Sequence, residues 1–295
     1  MEITETFADA RALYKGRIGL LPTMGYFHEG HLSLMDLLRE QCDTLVVSNF
    51  VNPTQFDKEA DLNAYPRDVE RDGEMAAEHG TDIHFVPSVE EVYPPGSSTE
   101  VTVGAVALGM EGKYRPSHFV GVATVVAKLF AGLRPDVAVF GKKDAQQIAV
   151  LKGMVTDLRF PVEIVAAPLV RDPDGLALSS RNVRLTPADR EAALAISRGL
   201  FQAAMQIEAG ERDPARLEGT VSRSMAKLGT DYVELVAADT MEPVSVLDGP
   251  AVLAVAAHVG QVRLIDNLSI EWANGKAKPD RGMILEEPSR LGTLH

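Results

Sequence analysis

Residues 18–51 read IGLLPTMGYFHEGHLSLMDLLREQCDTLVVSNFV, and this stretch decides the fold. Ile18 to Leu21 is a short apolar run closed by Pro22. After a loop, residues 31–42 carry Leu34, Leu37 and Leu38 at helical spacing. Residues 44–51 are apolar and β-branched, the composition of a strand covered on both faces. Strand, helix and strand make one βαβ unit of about 35 residues.

The alternation continues outward. Residues 52–65 are polar and predict a long loop. Residues 66–79 predict a helix with Pro66 near its first turn and Gly80 beyond its end. Strands are expected at 82–86, 137–140 and 162–170, and helices at 119–133 and 144–158. Strands spaced by helices of this length predict an α/β architecture, a parallel sheet with helices on both faces. After the turn signal Asp172-Pro-Asp-Gly175 the order changes. Thr186 caps and Pro187 opens a helix reaching about residue 209, and a second helix covers about 213–228. Strands at 232–238, 251–257 and 262–270 follow, which predicts a smaller α+β domain. From Asn274 onward Gly, Pro and charge dominate, and a loosely held tail is expected.

Composition narrows the function classes. The 295 residues are 45% hydrophobic and 24% charged, ordinary for a globular protein with a sizeable core. Lys and Arg total 29 against 42 Asp and Glu, a formal net charge of −13. So acidic a surface argues against nucleic-acid and anionic-membrane partners, while a local basic pocket for a small anion remains open. Cys42 is the one cysteine, so no intrachain disulfide forms, which fits a reducing compartment. The first ten residues lack the basic start and apolar run of a secretory signal, and no apolar run approaches a membrane span. A cytoplasmic location is expected.

In an open parallel sheet, ligands bind beyond the carboxyl ends of the strands. Five loops there are unusual. Pro22-Thr-Met-Gly-Tyr-Phe-His28-Glu-Gly-His31 joins a strand to a helix, with glycines that admit close backbone approach and two imidazoles beside a helix N-terminus. That is a phosphate cradle with two extra donors. The spacing H-E-G-H is not the H-E-x-x-H of zinc hydrolases. Asn52-Pro-Thr-Gln55-Phe offers amides to a polar ligand, and also reads as an Asn-Pro turn. Arg115-Pro-Ser-His118-Phe offers two donors, and also reads as a surface loop capped by Ser117. In Phe140-Gly-Lys142-Lys143-Asp144-Ala-Gln146-Gln147, Lys143 suits phosphate and Asp144 suits a helix cap or a metal. Leu178-Ser-Ser-Arg181-Asn182 puts two hydroxyls beside a guanidinium, a set for phosphate or for a solvated linker. Neither a nucleophile elbow nor a Walker A frame is present. Imidazole, lysine, arginine, hydroxyl and amide together suit charge stabilisation during nucleotidyl transfer.

These five motifs, in this order over residues 15–185, resemble the pantothenate synthetase (pantoate–β-alanine ligase) family. The resemblance implies a Rossmann-like nucleotidyltransferase domain related to that of class I aminoacyl-tRNA synthetases. A nucleotide- and pantoate-binding domain is expected at 1–178, a smaller α+β lid domain at 179–275 and a loosely held tail at 276–295, which the resemblance does not explain. The implied reaction runs through pantoyl adenylate and uses ATP with Mg²⁺. A homodimer is implied, with no nucleic-acid or membrane partner.

Roles carry over by position. His28, His31, Lys143 and Arg181 are the implied catalytic groups, with His31 the proton donor. ATP is implied to lie against Met24, Gly25, Tyr26, Phe27, His28, Glu29, Gly30 and His31. It would also meet Gly141, Lys142, Lys143, Asp144, Val170, Leu178, Ser179, Ser180 and Arg181. Gln55 and Gln147 would hold pantoate, with Gln55 also near β-alanine, and His118 and Arg115 would flank the site. Leu178 and Ala145 stand where the family often has Met and an aromatic. The competing readings are a related nucleotidyltransferase acting on another small acceptor, and a non-catalytic ATP-binding protein.

Overall fold

The structure is a computed structural model and describes residues 1–291. The chain divides into two compact units, Met1–Gly141 with Val150–Ala167, and Lys142–Ala149 with Pro168–His295.

The first unit begins with β1 (Glu2–Thr4), α1 (Phe7–Ala12), β2 (Ile18–Thr23), α2 (Glu29–Arg39) and β3 (Thr44–Asn49). It continues through α3 (Glu59–Asn63), α4 (Val69–Glu78), β4 (Ile83–Phe85), α5 (Val89–Val92), α6 (Met110–Tyr114) and α7 (His118–Leu133). It ends with β5 (Val137–Gly141), α8 (Ala145–Leu158, whose first turns belong to the other unit) and β6 (Glu163–Ala167). The six strands form one parallel sheet in the order β1-β4-β3-β2-β5-β6. Strand order reverses between β2 and β5, so the carboxyl ends Thr23 and Gly141 flank a topological switch point.

Every residue of β3 is buried, the apolar Leu45–Val47 together with the polar Thr44, Ser48 and Asn49. Leu32, Leu34, Met35 and Leu38 of α2 join Leu21, Leu45, Val47 and Val139 in one core cluster. α7 is apolar on nearly all sides and is buried accordingly. It stops at Arg134, held in the left-handed region (φ 52°) just before Pro135.

Two expected boundaries move. The helix expected from Pro66 starts at Val69, because the Asp68 carboxylate caps it by accepting from Arg71 N–H. The strand expected over 162–170 is split, because Pro168 ends β6 and the next strand pairs elsewhere.

The second unit holds β7 (Val170–Arg171), α9 (Pro187–Glu208), α10 (Pro214–Ser224), β8 (Gly229–Ala237), β9 (Ala251–Val259), β10 (Val262–Ala273), β11 (Lys276–Asp280) and β12 (Met283–Ile284). Thr186 and Asp213 cap the two helices through their side-chain oxygens, each followed by Pro. The sheet β11-β10-β9-β8 is antiparallel, and α9 and α10 share its core through Leu200, Ala204, Leu217 and Val221 with Leu253 and Leu268.

The tail departs from expectation. Asn274 and Gly275 both have positive φ (53° and 72°) and form a two-residue hairpin turn that returns β11 onto β10. β12 then pairs in parallel with β7. Residues 276–280 and 283–284 are therefore held by backbone ladders, and residues 292–295 lie outside the described residues. Besides Lys142–Ala149, the second compact unit takes in the chain from Pro168 onward. β7 pairs with β12 rather than with the parallel sheet, and Arg171 is anchored inside the second unit.

Candidate active site

The first unit assembles one group of candidate residues at the carboxyl ends of β2 and β3. His28 is the N-cap of α2, and its Nδ1 accepts from Gly30 N–H at 3.1 Å. His31, one turn on, accepts from His28 N–H at 3.3 Å, also through Nδ1. The two rings lie 4.1 Å apart between centroids. Each Nδ1 is an acceptor, so the neutral tautomer carries its proton on Nε2. The helix start therefore carries two imidazoles, each held through Nδ1, beside its own positive dipole end.

The loop before this cap is held from below. Gly25 adopts φ +82°, and a Cβ there would stand 2.3 Å from Asn49 Oδ1, so the position excludes a side chain twice over. Tyr26 is also left-handed, at φ 55°. The fully buried Asp72 carboxylate accepts from Tyr26 N–H (2.6 Å), Phe27 N–H (2.7 Å) and Asn49 Nδ2 (2.9 Å). Arg71 donates to Phe27 O at 3.0 Å and lies over the Tyr26 ring at 5.2 Å. Burial pushes the Asp72 carboxyl above its ordinary pKa, against the pull of Phe27, Tyr26, Asn49 and Arg71. All its neighbours are donors, so it serves as an acceptor-only carboxylate.

Gln55 sits on the turn after β3, nine-tenths buried. Its Nε2 points to Met24 Sδ at 3.0 Å, and its Oε1 accepts from Asn52 Nδ2 at 3.1 Å. A thioether is a weak acceptor, so this amide N–H is readily recruited by a carboxylate or hydroxyl of a ligand. Arg115 Nη2 (3.2 Å) and His118 Nδ1 (3.1 Å) meet the Gln55 carbonyl. Met24, Gln55, Arg115 and His118 are thus brought together, and Arg115 also pairs with Asp57 at 3.6 Å and Glu111 at 3.4 Å. Phe27 is wholly buried against the His31 ring, while Glu29 and Gly30 form the first turn of α2.

The second unit holds the other group. Lys142, Lys143 and Asp144 form a 3₁₀ turn after Gly141, and Gln147 lies in the first turn of α8, half-buried. Lys142 Nζ pairs with Asp280 at 3.1 Å, whereas Lys143 Nζ is 3.8 Å from Asp144. Asn267 donates through Nδ2 to the carbonyls of both Lys142 and Lys143, each at 2.8 Å. The Val170 carbonyl accepts from Leu178 N–H at 2.9 Å, which sets Leu178–Arg181 beside β7. Ser179 caps the 3₁₀ turn Ser180–Arg184 by accepting from Arg181 N–H. Asn182 Nδ2 ties that turn to the Ala177 carbonyl at 2.9 Å.

Sequence reasoning missed Asn49, Arg71, Asp72, Asn267 and Asp280. Asp72 reads as one more solvated carboxylate in the run Val-Glu-Arg-Asp-Gly-Glu, and Asn267 as a polar residue in a strand. No spacing within either segment signals its distant partners. Among the described residues no group of three His, Cys, Asp or Glu side chains converges as a metal site.

The family model described as pantoate-beta-alanine ligase matches residues 1–269. Pantothenate synthetase 1 of Bradyrhizobium diazoefficiens is 51% identical over 274 residues, covering 92% of this chain and 96% of that protein. Pantothenate synthetase of Heliobacterium modesticaldum is 50% identical over 257 residues, covering 86% and 92%. Among solved structures, pantothenate synthetase from Thermus thermophilus superposes with a TM-score of 0.87 at 43% identity, covering 91% of this chain and 99% of that one. A pantoate-beta-alanine ligase from Francisella tularensis, complexed with β,γ ATP and β-alanine, superposes at 0.76 with 32% identity, covering 90% and 97%. A parallel sheet with paired histidines at its switch point, and relatives matched over nearly their whole length, place this chain in the pantoate–β-alanine ligase family.

Proposed function

We propose that this chain joins (R)-pantoate to β-alanine, consuming ATP to AMP and pyrophosphate through a pantoyl adenylate. The observation that carries the reading is the reciprocal capping of His28 and His31. It fixes two imidazoles at a helix N-terminus on the switch point of a parallel sheet. In the first step a pantoate carboxylate oxygen attacks the α-phosphorus of ATP, and the bond to the bridging oxygen breaks to release pyrophosphate. Charge grows on phosphate oxygens in that step, and preorganised donors stabilise it. His28, His31, Lys143 and Arg181 take this role, with His31 as proton donor. Met24 to Gly30, Gly141, Lys142 through its main chain, Val170, Leu178, Ser179 and Ser180 contact the nucleotide. Gln55 and Gln147 orient pantoate, which keeps its carboxylate in line for attack. In the second step the β-alanine amine attacks the acyl carbon, AMP leaves, and the nitrogen loses a proton.

The residues fit Mg²⁺ as a nucleotide-borne ion rather than a caged one. Mg²⁺ commonly takes one or two carboxylates with substrate phosphates and waters, and Asp144 supplies one half-exposed carboxylate. When bound it neutralises charge on the phosphates. Assembly as a homodimer and a cytoplasmic location belong to the same reading, and no helix among the described residues is long and apolar enough to cross a membrane.

The test is ATP–pyrophosphate exchange with Mg²⁺. Exchange that requires pantoate, and turns into steady AMP release when β-alanine is added, supports both half-reactions. ATP binding without pantoate dependence would move the acceptor to another small molecule and make Gln55 and Gln147 structural amides.

A further inference from the structure

The tandem lysines are treated differently by the residues packed on them. Both carbonyls of the Lys142–Lys143 pair accept from one amide group, Asn267 Nδ2. Asn267 is nearly buried in β10, and its neighbour Asp266 is committed to the buried Arg171 guanidinium. Arg171 also donates to the carbonyls of Asn267 and Arg281, so the same polar cluster holds the segment bearing Asp280. Asp280 in turn accepts from Lys142 Nζ at 3.1 Å and from Gly282 N–H at 2.9 Å. The Lys142 amine is therefore spent on a carboxylate within its own unit. Lys143 has only its neighbour Asp144, at 3.8 Å among the described contacts. Asp280 lies beyond the residues that the family model matches.

We propose that Asn267 and Asp280 are positioning residues for the adenylation step, clamping the Lys142–Lys143 turn so that Lys142 anchors it and Lys143 is the lysine offered to phosphate. This rests on the ligase reading above. Neither residue touches substrate. Asn267 fixes the two peptide planes, and Asp280 keeps the Lys142 amine from competing for the same phosphate. A lysine ammonium is a flexible point charge, so the direction of its stem decides what it reaches. The first half-reaction needs that charge as pyrophosphate leaves, whereas aminolysis of a preformed adenylate has no pyrophosphate to stabilise.

The experiment compares the two half-reactions in Asn267→Ala, Asp280→Asn and Asp280→Glu. Pantoate-dependent ATP–pyrophosphate exchange is expected to fall about tenfold or more in Asn267→Ala, through a raised KM for ATP, with the KM for pantoate within about twofold. Asp280→Asn shows a smaller loss of the same kind, and Asp280→Glu, which restores the carboxylate, recovers it. Conversion of preformed pantoyl adenylate by β-alanine stays within about twofold of wild type in all three. Equal losses in both half-reactions, or exchange unchanged in Asn267→Ala and Asp280→Asn, overturn the proposal. If Asn267→Ala does not fold, the Asp280 pair decides alone. A wild-type chain that shows no pantoate-dependent exchange overturns the ligase reading itself, and is distinguishable from an active wild type matched by its variants.

Discussion

Single atoms decide most at Gly25 and His84. An added methyl at Gly25 meets a left-handed backbone and the Asn49 amide that partners Asp72. Gly25→Ala is therefore expected to introduce strain on the order of 1–3 kcal/mol. It should also displace Asn49, lowering pantoate-dependent exchange by about tenfold or more, read by the exchange assay. Asp72→Ala leaves two backbone N–H groups of the histidine loop without acceptors, for a loss on the order of 2–4 kcal/mol in urea unfolding. His84 in β4 is wholly buried, and neither ring nitrogen has a hydrogen-bond partner among the described residues. Burial lowers its pKa below the ordinary 6.5. As pH falls through 6.5, the unfolded chain takes up a proton that the folded chain refuses, so stability drops with acid. The slope from this residue is up to about 1.4 kcal/mol per pH unit until the folded pKa is reached. His84→Leu should flatten that dependence between about pH 7.5 and 5.5 in urea titrations, and an unchanged slope would assign the acid sensitivity elsewhere.

Among the elements, the short β7 carries the most consequential polar contact. Arg171 is completely buried, and its five N–H groups meet five acceptors: both Asp266 oxygens and the carbonyls of Gly175, Asn267 and Arg281. The guanidinium also lies over Phe201 of α9 at 5.0 Å. One side chain thus links β7, the Asp172–Gly175 turn, β10 and the end of β11. Asp266→Ala strands that buried charge and is expected to cost about 3–5 kcal/mol in the second unit, measured by urea denaturation. A loss near zero would show that water replaces the carboxylate. Helix starts were far more legible than this contact. Thr186-Pro187 and Asp213-Pro214 announce α9 and α10 because a cap needs only residues within one turn. The strand at 276–280 escaped the same reading: its segment is charged and holds Pro279, although Asn274-Gly275 is the hairpin signal that forms it.

For the whole molecule, two compact units each with an apolar core bear on how it unfolds. Trp272, the only tryptophan, lies in β10 of the second unit. Its fluorescence reports that unit, while far-ultraviolet circular dichroism reports both. The two urea midpoints are expected to differ, and Asp266→Ala is expected to move the fluorescence transition and leave the remainder of the dichroism transition in place. Coincident midpoints that move together would make the molecule one cooperative unit. The parallel sheet, the later α+β region and the five loop motifs were all legible in the sequence. Each is written in residues a few positions apart, within reach of one helix turn or one strand. The supports of the site were not. Asp72 meets Tyr26 across 46 positions, Asn267 meets Lys142 across 125, and Asp280 meets Lys142 across 138. A hydrogen bond requires two atoms within about 3 Å, and chain order alone does not say which distant atoms meet. The sequence by itself determined which groups are available for nucleotidyl transfer, and only the tertiary structure decided which carboxylates and amides hold them, because those partners become neighbours when each unit packs.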